Sequence, residues 1–170
     1  MPLPVRLQGL NVGQLRQLAR EDAREFIEDF GSVDYPLDVT ALAREVGAEV
    51  FVAELGENVY GMIEGNASGA TIYVDRESPL NRRRFTIAHE LGHMVSYKDE
   101  AGLDTFVDVR DEDGRGNAAE IYANEFAGEL LMPATSMREY IDQGFDNFDI
   151  ARELAVSAAA VSYRRQILGI

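Results

Sequence analysis

The chain contains only two histidines, His89 and His93, four residues apart in the run His89-Glu90-Leu91-Gly92-His93. On an α-helix, positions i and i+4 differ by roughly 40° of rotation, so both imidazoles leave adjacent turns in the same direction. The fold must therefore place a helix across these residues and leave room in front of both rings. Two converging ring nitrogens suit Zn²⁺, one ion per chain, because its sites favour histidine nitrogen. Glu90 projects beside the pair, where it can hold a water as general base and carry the proton onward to a leaving group. Ordinary helix histidines have no reason to meet at this spacing with a glutamate in that slot.

The remaining composition makes other chemistry scarce. With 170 residues, 46% of them hydrophobic, the chain fits one domain with a true core. The absence of cysteine excludes disulfide scaffolds, cysteine-ligated metal sites and thiol nucleophiles. A formal charge of −14 argues against a phosphate-binding surface, so no direct nucleic-acid contact is expected. Met1 to Arg6 opens no signal peptide, and no stretch approaches the ~18 apolar residues of a membrane span. A soluble, cytoplasmic protein is expected.

Along the chain, an apolar stripe through Leu15, Leu18, Ala19 and Phe26 predicts a first helix ending at Gly31-Ser32. A shorter helix is expected from Pro36 to Gly47. The period then turns strand-like at residues 49–53, 59–63 and 70–74. Ser78 as cap and Pro79 at the first helical position open a helix to about Ser96. Residues 98–116 read as an acidic loop with one possible strand at 105–109. A helix over 118–131 and short helices ending at about Leu168 complete the chain. The expected class is α+β, a small three-stranded, mostly antiparallel sheet packed on helices. One domain is expected: 1–37 as a helical extension, 38–133 as a zincin-like core, 134–170 as short C-terminal helices.

A catalytic zinc needs a third protein ligand and an open position. No third histidine exists, so the ligand must be a carboxylate. The helix over 118–131 buries a stripe of Ala123, Ala127, Leu130 and Leu131. Glu120 falls on that stripe, whereas Glu129 lies roughly opposite and Glu125 well off it. An acid facing the core is costly unless something positive meets it, which makes Glu120 the candidate ligand. Asn124, one turn on, is a candidate partner behind a ligand or for a substrate backbone. A calcium-loop reading of Asp111-x-Asp113-Gly114-x₅-Glu120 lacks its first ligand, since Val109 stands there.

Arg84-Phe85-Thr86-Ile87-Ala88-His89-Glu90-Leu91-Gly92-His93 resembles the active-site helix of the ImmA/IrrE family of metallo-endopeptidases. Glu120-x-x-Ala123-Asn124-x-Phe126-Ala127-x-Glu129-Leu130-Leu131-Met132-Pro133 resembles its second motif. Leu154-Ala155-Val156-Ser157, with Arg165 and Leu168-Gly169, resembles its C-terminal segment. The similarity runs from about Val39 to the C-terminus. It implies zinc ligands His89, His93 and Glu120, a catalytic Glu90, and a zincin-like fold. It also implies cleavage of a specific protein partner, a helix-turn-helix transcriptional repressor from a phage-like or stress-response circuit. Residues 1–37 are too short for a DNA-binding domain beside the first helix, so the stand-alone type is expected. The alternative function is a non-proteolytic, antitoxin-like or anti-repressor module with a structural zinc.

With both histidines committed, an oxyanion helper must be a tyrosine or arginine; Tyr97, Tyr122 and Arg84 are in range by sequence. Arg82-Arg83-Arg84 is expected to form a helix face paired with local acids. Val156-Ser157 with Arg164-Arg165 faintly resembles half a helix-turn-helix, for which packing or partner docking is the favoured role.

Overall fold

The computed structural model describes residues 3–29, 34–66, 69–98, 105–110 and 117–170, with backbone alone at 66 and 105–110. A 3-10 turn at Val5–Leu7 leads into α1 (Val12–Glu28). Asn11 and Gln14 open α1 as a reciprocal capping box, which explains why the helix starts there. Helix α2 (Val39–Glu45) starts where the Asp38 carboxylate accepts from the Thr40 and Ala41 N–H groups. Next come β1 (Ala48–Ala53), β2 (Gly61–Asn66), β3 (Gly69–Asp75) and the long helix α3 (Leu80–Ser96). Strand β4 (Thr105–Arg110), α4 (Ala118–Leu131), α5 (Ala134–Asp142), α6 (Asn147–Leu154) and α7 (Ala158–Leu168) complete the chain.

The α+β class holds, and the strand count is corrected. The sheet has four strands in the order β1-β3-β2-β4 and is mixed. β3 runs parallel to β1 (Ala48 opposite Ala70) and antiparallel to β2 (Ile63 opposite Ile72). The possible strand at 105–109 does form, extends to 110, and pairs antiparallel with β2. Acidic and glycine neighbours masked this short run in the sequence, while β2 offered it an open edge. Ser78 is also corrected as a cap: its hydroxyl donates to the Asp75 carboxylate at 3.1 Å, and Pro79 stands at the N-cap position.

One face of the sheet is covered. Ile63, Ala70, Ile72 and Val74 point into the core beneath Ile87, Ala88 and Leu91 of α3. Helix α4 is buried nearly all round, with Tyr122, Ala123, Phe126, Leu130 and Leu131 enclosed. Helix α1 covers α4 through Leu15, Ala19 and Ala23, and Phe26 meets Phe126 edge-on at 5.6 Å. Each large apolar side chain enclosed this way contributes about 1.5–3 kcal/mol. The segment read as an N-terminal extension thus supplies one wall of the core.

Candidate metal centre

Two helices must meet closely for the histidines to face an acid from another element. Gly92 permits it: a Cβ there would stand 3.0 Å from the Ala123 Cα and 3.2 Å from the Ala123 carbonyl oxygen. The crossing sets the first turn of α4 beside His93. That turn is fixed by Asn117, whose side chain accepts from the Glu120 N–H at 2.9 Å.

His93 Nε2 lies 3.0 Å from His89 Nε2 and 3.0 Å from Glu120 Oε1, and His89 Nε2 lies 3.5 Å from Glu120 Oε2. All three donor atoms fall within 4.8 Å of one another. A tetrahedral ion about 2.1 Å from each donor separates its ligands by roughly 3.4 Å, so the donor set fits a first-row divalent ion. His89 and His93 are 0% and 2% exposed, while the Glu120 side chain keeps 13%. Burial works against ionising Glu120, but hydrogen bonds and charge from His89 and His93 outweigh it. Its carboxyl is held well below the usual range.

With Nε2 of His89 turned into the shared space, Nδ1 donates to Asn124 Oδ1 at 3.1 Å. Such a contact fixes ring orientation and raises donor basicity. Glu90 is fully buried beside the centre. A Cβ at Gly61 would stand 3.1 Å from Glu90 Oε1 and 2.2 Å from Thr86 Cγ2, so only glycine fits where β2 begins. Nothing in the local sequence marks Gly61; its proximity to Glu90 arises from the tertiary fold.

The remaining expected site residues have these surroundings. Tyr122 faces α1, where its hydroxyl donates to Asp22 at 2.5 Å. Burial first, then that bond and the Asp22 charge, push its acidity far upward, which suits a structural hydroxyl. Arg84 Nε donates to the Ala155 carbonyl at 3.1 Å, and Tyr97 is buried at the C-terminal end of α3. Of the four secondary candidates, Asn124 touches the donor set through His89 Nδ1. The arginine cluster has mixed partners, with the Asp38 charge acting on Arg84. Arg83 donates to the Ser78 and Arg76 carbonyls, and Arg82 lies over the Tyr60 ring at 4.4 Å.

Glu125 and Glu129, read as lying off the buried stripe, are 5% and 3% exposed. Arg164 of α7, itself buried, donates to Glu125 at 2.6 Å, to Glu129, and to the Met132 carbonyl at 3.1 Å. Burying two carboxylates requires this counter-charge. Arg164 is thereby committed to packing, in line with the favoured role. The calcium-loop reading falls on residues 109–120, of which 111–116 lie outside the described residues.

Fold and site together define an α+β protein with a buried His–His–Glu donor set between two crossing helices, suited to a divalent metal ion. The family model for peptidase family M78, described as the IrrE N-terminal-like domain, matches residues 43–165, and the chain belongs to that family. This agrees with the resemblance carried by the two motifs. The chain is 27% identical over 96 residues to the radiation response metalloprotease IrrE of Deinococcus radiodurans. That match covers 54% of this chain and 29% of the relative. A solved structure of a Mycobacterium tuberculosis transcriptional regulator superposes with a TM-score of 0.56 at 21% identity. It covers 95% of this chain and 49% of the other, and shows likeness of fold. No described helix is long and apolar enough to cross a membrane.

Proposed function

We propose that the chain is a zinc-dependent endopeptidase of zincin-like build, acting in the cytoplasm on one regulatory protein, a helix-turn-helix repressor of a phage-like or stress-response circuit. The observation that carries this reading is the meeting of His89, His93 and Glu120 within 4.8 Å, with Glu90 beside them. Membership of the M78 peptidase family and a relative named a metalloprotease support it.

His89, His93 and Glu120 would hold the ion, and Asn124 would keep the His89 ring oriented. The zinc, when bound, supplies Lewis acidity, polarising a carbonyl and acidifying water. Glu90 takes a proton from the attacking water and returns it to the departing amine nitrogen, a role worth about 10²–10⁴ in rate. Substrate fits the sheet edge. Among the described residues β4 pairs with β2 alone, and Arg110 sits opposite Gly61, the residue packed against Glu90. An extended peptide added to β4 would pass the carboxylate that moves the proton.

The test joins metal analysis to cleavage. Purified protein should hold about one zinc per chain, and Glu90→Gln should retain the metal while losing cleavage of the co-incubated repressor. Extended-peptide inhibitors should compete. A biological effect that survives Glu90→Gln with metal retained would return the function to a non-proteolytic partner-binding module with a structural zinc, and absence of zinc would overturn both readings.

A further inference from the structure

The sheet has a second open edge, opposite β4. Gly47 O accepts from the Ala70 N–H at 3.1 Å and Ala53 O from the Arg76 N–H at 2.8 Å, so odd-numbered residues of β1 bond to β3. By alternation, the N–H and C=O groups of Val50 and Val52 face away from β3, and no partner for them is found among the described residues. The side chains there are apolar. Phe51 is 49% exposed and stacks on Tyr73 at 6.0 Å, and Val52 is 47% exposed on the opposite face of the strand.

Natural edge strands are normally blunted by lysine, proline, a bulge or a covering element. β1 contains none of those residues and pairs residue for residue with β3. It carries instead an exposed glutamate, Glu49, and leads into a turn with exposed Glu54 and Glu57. Arg76 offsets Glu54 at 3.6 Å. A second copy of this chain, net charge −14, would bring an edge bearing the same glutamates, so like charges would gather along the pair. The charge instead fits a partner of opposite sign.

We propose that the free edge of β1 docks an extended segment of a partner protein, one in which apolar side chains alternate with Lys and Arg. Main-chain bonds to Val50 and Val52 supply affinity, Phe51 and Val52 take apolar side chains, and the glutamates select basic ones. β1 and β4 are opposite edges of the same sheet, three strand spacings or roughly 14 Å apart. A partner held at β1 therefore leaves the metal-side edge unobstructed.

The test uses the full chain with metal bound and carrying Glu90→Gln, so that binding is read independently of hydrolysis. The probe is a fluorescent octapeptide alternating valine with lysine or arginine, followed by anisotropy. Saturable binding is expected, at least tenfold tighter than for the same peptide with glutamate at the basic positions. Val52→Pro, which removes an outward N–H at a position where an edge strand tolerates proline, should weaken it at least tenfold. Phe51→Lys should do the same, and Glu49→Lys with Glu54→Lys should invert the charge preference. Circular dichroism and metal content should match the parent in every variant scored. Absence of binding, or binding indifferent to these changes, would overturn the proposal. A chain dimer in sedimentation that Val52→Pro dissolves would also overturn it, by giving the edge to a second copy.

Discussion

Gly92 and Ala123 stand as close as two helices allow, with the Ala123 Cα 3.0 Å from where a Gly92 Cβ would lie. The crossing cannot take a methyl group without moving α4, and α4 carries Glu120. Gly92→Ala gains about 1 kcal/mol of helix propensity but meets backbone, an overpacking that costs about 1–3 kcal/mol. The expected result is a net loss of stability and at least a tenfold loss of zinc affinity, with Gly92→Val worse on both counts. Chelator competition and thermal melts of the metal-free protein check the two effects separately.

Among the described residues, Asn124 touches the candidate centre through His89. Asn124→Ala removes the acceptor that fixes the ring, and loss of such a partner typically lowers metal affinity by about 10–100-fold. Asn124→Asp keeps an acceptor oxygen in place and should bind zinc more tightly than the alanine variant. Equal affinities for the two would show that the hydrogen bond does not orient the ligand.

Arg164 compensates both Glu125 and Glu129 in a buried site. Removing one partner of a buried ion pair costs about 3–5 kcal/mol, and the lower end applies here because Arg16 and Arg20 stay 3.7 and 3.6 Å from Glu125 and Arg24 stays 3.7 Å from Glu129. Arg164→Met is therefore expected to destabilise by that order in urea unfolding. Adding Glu125→Gln and Glu129→Gln should recover a substantial part of the loss. A triple variant no more stable than the single one would mean that the arginine acts through packing.

Features set by neighbouring residues could be read from the chain; those set by distant partners could not. The bounds of α4 follow from the Asn117 cap and the stop before Pro133, and the position of Glu120 follows from helix rotation against Ala123. Asn124 follows from the same rotation, one turn on. The burial of Glu125 and Glu129 depends on counter-charges distant in sequence, Arg164 at 39 and 35 residues away and Arg16, Arg20 and Arg24 of α1. Helical period alone treats an acid as surface unless its counter-charge is known. Tyr122 fell to the same cause, since Asp22, 100 residues distant, takes its hydroxyl. Arg84 reads as facing an acid or a substrate; it donates to the carbonyl of Ala155, a residue in the left-handed conformation (φ 51°), and the Asp38 charge acts on it as well.

Tyr35 links alkaline stability to the same helix. Its hydroxyl donates to the Leu130 carbonyl at 3.2 Å, and burial followed by the Glu129 charge pushes its pKa up to about 12. In the unfolded chain a tyrosine ionises near ~10. Below that pH both states are neutral at this position, and the stabilising contribution of the native hydroxyl is fully present. As pH rises from about 10 to about 12 the unfolded chain releases its proton while the folded one does not, so stability falls across that interval. Tyr35→Phe should start lower at pH 8 by about 0.5–1.5 kcal/mol for the lost hydrogen bond, and then decline less steeply. Tyr122, whose acidity is pushed further up by burial and by Asp22, keeps part of the alkaline slope in that variant. Urea unfolding at stepped alkaline pH measures both slopes, and parallel slopes for wild type and Tyr35→Phe would assign the alkaline loss to Tyr122 and other groups.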